Sequence, residues 1–315
     1  MRIRTLAVVI LLAGALAPGG RADGGPSVKE NAGLTGVVTP TGFRYVVVDG
    51  PNTATLARIA SDGRVVAEKY LPGPFTIQGV AYDGTPTGLS ADGKTLVLVR
   101  PRFAFPRKET RFLVLSTPGL YVRHNVVLKG DFTLDAISPD GSLLYFINYL
   151  SARDPTQYAV RVYDVERGAL LPKPVVDRTE PDEDMRGNPI SRVTSADGRW
   201  AYTLYDGGGR TPFVHALDTV GVDAHCIDLD ALMRSHDLPY LRLRLDGRTL
   251  SVTKGKTPLL LIDTESFRVS EPGKTSSTVD GGRRWLPIGA GAGAALLAAA
   301  AAAAFLLRRR RLATT

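Results

Sequence analysis

The sequence predicts an all-β domain made of repeated four-stranded units, carried between an N-terminal export signal and one C-terminal transmembrane helix. Three observations predict it. A turn followed by an apolar strand recurs along the body, helical patterning is nearly absent between the two ends, and each end holds an apolar run flanked by basic residues.

At the N-terminus, Met1-Arg2-Ile3-Arg4 is a short basic start, Leu6 to Leu16 is apolar, and Gly20-Arg21-Ala22 offers small residues for a signal peptidase. Residues 1–22 are read as a signal peptide and residues 23–32 as a linker.

In the body the recurring turn is Pro40-Thr41-Gly42 before Tyr45 to Val48, Ala91-Asp92-Gly93 before Leu96 to Val99, and Pro139-Asp140-Gly141 before Leu143 to Leu150. It returns as Ala196-Asp197-Gly198 before Trp200 to Tyr205 and as Leu245-Asp246-Gly247 before Leu250 to Thr253. From glycine to glycine the steps are 51, 48, 57 and 49 residues, the range in which internal repeats mean propellers or solenoids. Asp and Gly tolerate the positive φ of tight turns, and the β-branched and aromatic residues that follow suit a pleated, buried surface. A second strand follows each marker: Thr55 to Ile59, Phe112 to Leu115, Val160 to Asp164, Val214 to Asp218 and Leu260 to Asp263. Further strands are expected at Tyr121 to Leu128, Leu171 to Val176, Ala224 to Leu229 and Phe267 to Ser270, with one short helical turn at Asp230 to Ser235. The longest step reflects a polar insertion at Asp177 to Pro189.

The run Ile137-Ser138-Pro139-Asp140-Gly141-Ser142-Leu143-Leu144-Tyr145, continued by Val162-Tyr163-Asp164-Val165-Glu166-Arg167-Gly168, resembles the YVTN and TolB-type β-propeller repeats. The resemblance spans most of residues 34–272 and implies a β-propeller of about five to six four-stranded blades over residues 33–270. It specifies architecture more than task, because propellers serve as enzymes, scaffolds and binding modules. No fourth strand is obvious after Val269, so an N-terminal strand is expected to complete the last blade and cover both edges.

Beyond the domain, residues 271–284 read as a polar linker and residues 285–307 as the membrane helix. Ile288 to Leu307 is free of charge and about 20 residues long, enough to cross a roughly 30 Å hydrocarbon core. Trp285 suits the outer interface, and Arg308, Arg309, Arg310 and Arg311 hold the tail, residues 308–315, in the cytoplasm. Gly289 and Gly293 have the spacing that lets a second helix approach, which would give a weak dimer. Leu286-Pro287-Ile288-Gly289 lacks the Thr and Gly of a sortase signal, so a retained helix is preferred.

The net charge of +8 belongs to targeting. Arg2, Arg4, Arg21 and the four tail arginines account for all but about one of these charges, which argues against a nucleic-acid partner. No Lys/Arg cluster is read in the body. Cys226 is the single cysteine, so no intramolecular disulfide forms.

No catalytic residue is assigned. His124, His215, His225 and His236 lack zinc spacing, and His225 beside Cys226 is expected to alternate across a strand, with Cys226 inward and His225 outward. Asp92, Asp140, Asp197 and Asp246 are expected to build turns, and Asp164, Asp218 and Asp263 to cap strand ends. Gly207-Gly208-Gly209 reads as a flexible hairpin loop, since no helix opens after it to make a phosphate cradle. Glu180, Asp182, Glu183 and Asp184 form the most distinctive surface, a candidate loop for a protein or glycan partner in the envelope. Neither a cofactor nor a metal is expected. The favoured reading is a membrane-anchored extracytoplasmic binding or scaffolding module of a bacterial envelope. The resemblance also implies an alternative, a lactonase-like hydrolase in which Glu, Asp and Asn side chains of several blades hold a metal in the tunnel.

Overall fold

A computed structural model describes residues 31–50, 52–181 and 185–273. The signal peptide, Asp182, Glu183 and Asp184, and all the anchor residues, Trp285, Gly289, Gly293 and Arg308 to Arg311, lie outside the described residues.

The described chain folds into antiparallel sheets that follow one another in sequence order. Sheet one holds β1 (Val37–Val38), β2 (Arg44–Asp49), β3 (Ala54–Ile59) and β4 (Val65–Leu71); sheet two holds β5 (Thr95–Val99), β6 (Glu109–Ser116) and β7 (Tyr121–Lys129). Sheet three is β8 (Phe132–Ile137), β9 (Leu143–Tyr149), β10 (Tyr158–Asp164) and β11 (Ala169–Leu170). Sheet four is β12 (Pro189–Thr194), β13 (Trp200–Tyr205), β14 (Phe213–Asp218) and β15 (Asp223–Asp228). Sheet five is β16 (Leu241–Asp246), β17 (Thr249–Lys254), β18 (Thr257–Asp263) and β19 (Val269–Ser270). In sheet two the place of a first strand is taken by a segment that bridges β5 only at Thr76↔Val99 and Leu89↔Leu96. Pro86 lies in that segment, and a residue without an N–H cannot sustain a ladder.

Each of the first four marker turns joins the innermost strand or segment of its sheet to the next strand. In sheets two, three and four the turn is one construction. Ser138 Oγ donates to Asp140 Oδ1 at 2.7 Å and accepts from Leu143 N at 2.9 Å, while Asp140 Oδ1 accepts from Ser142 N at 3.0 Å. Ser90 with Asp92 and Ser195 with Asp197 repeat it. The fifth marker differs: Asp246 pairs with Thr249 across a two-residue hairpin. The strand-end carboxylates cap as expected, Asp218 accepting from Val220 N and Gly221 N, and Asp263 from Glu265 N and Ser266 N.

The cores lie between consecutive sheets. Tyr45, Val47 and Leu56 meet Leu96, Leu98 and Leu113; Val97, Phe112 and Val114 meet Leu134, Leu144 and Phe146. Tyr145, Val160 and Val162 meet Ala201, Tyr205 and Leu217; Tyr202, Leu204 and Val214 meet Leu243, Val252 and Ile262. Strands of the inner sheets are therefore buried on both faces, as β5, β8 and β14 show throughout, whereas β2 alternates buried and exposed. None of these four cores joins sheet five to sheet one.

A hydrogen bond accompanies three of the four junctions. Tyr145 Oη donates to Thr219 O at 3.0 Å, Tyr45 Oη to Thr117 O at 3.4 Å, and Tyr202 hydrogen-bonds Thr264. Each of these threonines directly follows the last strand but one of the next sheet. Sequential four-stranded meanders packed face to face form the blade arrangement of a β-propeller.

Two expectations are corrected. The fourth strand of sheet five is β19, pairing Val269 with Ile262 and Ser270 with Leu261, so the segment that follows β18 completes the sheet, not an N-terminal strand. Asn31 and Ala32 instead join the second unit, with a bridge to Gln78 and Ala32 N on Ile77 O at 2.9 Å. The triglycine is also no loose loop: Asp206 Oδ1 accepts from Gly208 N at 2.9 Å and Asn188 N at 2.7 Å, fixing a 3-10 turn.

Candidate functional site

β1, the segment before β5, the end of β8 and β12, with the marker turns of sheets one, two and four, surround a cavity of about 660 Å³, within the roughly 300–1,000 Å³ usual for ligand sites. Its walls are small, apolar or hydroxylated, including Val37, Thr39, Thr85, Thr87, Ser90, Thr194 and Ser195. Among the described residues Arg192 is the single charged one that lines it, and no Asp, Glu, Asn or His does.

Arg192 is held from beneath. A bulge between Leu134 and Ala136 leaves Asp135 without a partner on β9 and turns it out of the ladder's alternation. Arg192 Nη2 donates to Asp135 Oδ1, Nη1 to Asp135 O at 2.9 Å, and Nε to Thr203 Oγ1 at 2.7 Å. Both charged side chains are almost completely buried. The pair closes one end of the cavity, and below it Asp135, Tyr158, Tyr205 and Asn188 line a second cavity of about 20 Å³, about one water in size.

The cross-strand row continues from Arg192 through Thr203 to His215 and Cys226. His215 is fully buried, and neither ring nitrogen has a hydrogen-bond partner among the described residues. Burial pushes its pKa down to about 4, with nearby Asp135 opposing and Arg192 assisting the shift. Asp135 Oδ2 is also buried without such a partner. Burial raises the phenol pKa of Tyr158 and Tyr205 well above its ordinary value. This buried polar layer is the floor on which Arg192 is fixed.

The residues singled out in the sequence lie elsewhere. Glu180 is exposed on the insertion, where its N–H donates to Asp177 O at 3.2 Å. Asp177 accepts from Cys226 N at 2.8 Å. His225 and Cys226 do alternate, but His225 packs on Phe267 at 4.6 Å and not outward, and Cys226 is half-buried. Among the described residues no three His, Cys, Asp or Glu side chains gather as metal ligands.

No family model matches the chain, and no curated protein does. Structural neighbours include TolB of Acinetobacter baumannii, 16% identical over 72% of this chain and 51% of that one, with a TM-score of 0.40. A TolB relative of Agrobacterium tumefaciens is 15% identical over 74% of this chain and 78% of that one, with a TM-score of 0.38. The Cps50 (Swd1) β-propeller domain of Myceliophteria thermophila is 12% identical over 80% and 72%, with a TM-score of 0.41. The chain spans about half the length of the first of these. Likeness at this level carries no argument about activity; the fold rests on the strand pairing itself.

Sequence reasoning missed Asp135 and Arg192. Their signal was present: each is the one charge inside its strand, in Leu134-Asp135-Ala136-Ile137 and Ile190-Ser191-Arg192-Val193. It also missed a basic cluster in the body. Arg100, Arg102, Arg107, Lys108 and Arg111 crowd the connection from β5 to β6.

Proposed function

We propose that the chain is a single-pass, membrane-anchored extracytoplasmic β-propeller that acts as a binding or scaffolding module, taking a protein or glycan component of a bacterial envelope into its large cavity. The observation that carries this reading is the lining of hydroxyls, small side chains and one pinned guanidinium. Such a surface offers hydrogen bonds and shape, and no carboxylate to activate water. The lactonase-like alternative needs several acidic or Asn side chains at the tunnel, and among the described residues the cavity walls carry none.

The test is site-specific photocrosslinking in cells from Thr194, on the wall, with a control probe at exposed Tyr70. An adduct from Thr194 alone, abolished by Ala196→Trp, supports the cavity. Equal adducts from both positions, or metal-dependent lactone turnover by the purified full chain, would overturn the reading. Deleting residues 285–315 tests the anchor, the expected result being release of the domain from the membrane fraction.

A further inference from the structure

We propose that the connection between β5 and β6 is a docking site for anionic lipid headgroups, an inference that rests on the membrane-anchored reading above. The segment Arg100-Pro101-Arg102-Phe103-Ala104-Phe105-Pro106-Arg107-Lys108 alternates cations with apolar residues. Its base is rigid. Asp131, with 1% of its side chain exposed, accepts from Arg102 Nη2 at 2.7 Å and Nε at 3.0 Å, and from Arg107 N at 2.8 Å and Nε at 3.0 Å. Arg102 also lies over the Phe105 and Tyr149 rings at 5.7 and 5.1 Å.

Above this base the tip is open. Phe103 is 78% exposed, and Arg100 and Lys108 are exposed beside it. Two concavities meet there, of about 420 and 300 Å³, and Arg100, Phe103 and Arg111 line both. The larger is lined by Arg100, Arg107, Lys108 and Arg111, with Glu109 as its one acid. Glu109 is occupied by Arg111 at 2.8 Å, and no described carboxylate pairs with Arg100 or Lys108. A pair of exposed cations, Arg100 and Lys108, carried on this fixed base and flanking an exposed aromatic ring matches a phosphate group with an apolar body attached. Amphipathic surfaces of this composition bind at the headgroup boundary.

Placement in the fold agrees. The β5 to β6 connection lies at the end of the sheets opposite the marker turns. β18 runs toward the marker turns, pairing Asp263 with Thr249, so β19 leads the chain back toward the end that holds Phe103.

The experiment titrates the purified full chain, in non-ionic detergent at low salt, with dihexanoyl phosphatidylglycerol, dihexanoyl phosphatidylcholine and inorganic phosphate, using calorimetry. Saturable binding of the phosphatidylglycerol over the phosphatidylcholine is expected. The exposed-site variant R100A/K108A should weaken it about 25-fold, at roughly fivefold per cation. Phe103→Ala should weaken lipid binding severalfold. Phosphatidylglycerol binding unchanged in R100A/K108A would place the interaction elsewhere, such as the Arg308 to Arg311 tail, and overturn the proposal. Inorganic phosphate bound as tightly as the lipid, with no effect of Phe103→Ala, would also overturn it in favour of a free anion site. Because the lipid is presented in solution, this outcome is separate from release of the domain on deleting residues 285–315.

Discussion

Arg192 of sheet four donates to both the carboxylate and the backbone carbonyl of Asp135 of sheet three, with only 3% and 2% of the two side chains exposed. Removing one partner of a buried pair strands the other charge, at a cost of about 3–5 kcal/mol. Arg192→Ala and Asp135→Ala are each expected to lower unfolding stability by that amount in urea. The apolar double variant Arg192→Met/Asp135→Leu should cost less than either single change, since no charge is left unpaired. Singles that simply add would show that the two groups are not coupled.

His215 is expected to make stability depend on mild acid. Its folded pKa lies near 4, below the ordinary imidazole value near 6.5, because burial disfavours the cation. The unfolded chain therefore binds the proton first. Stability from this residue is complete above about pH 6.5 and is lost as pH falls toward 4, amounting to at most about 3 kcal/mol. Asp135, Arg192, Asp177 and His225 are the charged and titratable neighbours that act on the ring. Urea midpoints at pH 7.5 and 4.5 should fall further apart in the wild type than in His215→Phe. Equal differences would mean the imidazole is not held neutral.

Much of the fold was legible because it is written locally. Ser138-Pro139-Asp140-Gly141 contains every side chain of its own turn, and so do the turns at Ser90 and Ser195. Asp246-Gly247 looks the same in sequence yet makes a shorter hairpin, because no serine precedes it to accept from the following strand. The candidate site was not legible, since Asp135 and Arg192 are 57 residues apart and meet only through a bulge. The basic connection escaped notice because Pro and Phe interrupt its cations. A strand was expected at Phe267 to Ser270 and β19 lies within it, but its place as the fourth strand of sheet five was hidden because only two residues pair, with Leu261 and Ile262.

Tyr145→Phe should loosen sheets three and four. Its hydroxyl donates to Thr219 O at 3.0 Å across the junction, and deleting it leaves a buried carbonyl unpaired, a cost of about 1–3 kcal/mol. Tyr45→Phe removes the equivalent but longer contact to Thr117 O, at 3.4 Å, and should cost less. Thermal unfolding of the two variants side by side checks the order. A larger loss for Tyr45→Phe would mean that ring packing dominates the junction.

Gly141 and Gly63 share a left-handed backbone, with φ of 75° and 85°, but differ in the space around them. A Cβ at Gly63 meets nothing within 4 Å, whereas one at Gly141 falls 2.5 Å from both Cβ and Oγ1 of Thr95 on sheet two. Gly63→Ala therefore isolates the backbone cost, about 1–2 kcal/mol. Gly141→Ala carries that cost and a steric one, about 1–3 kcal/mol more, because Thr95 lies in a fully buried strand that cannot yield freely. Urea denaturation should rank the two variants in that order. Thr95→Gly should hurt the wild type yet recover part of the Gly141→Ala loss, since it removes the clashing Cβ. The absence of such coupling would show that the marker turn is not seated on its neighbouring sheet.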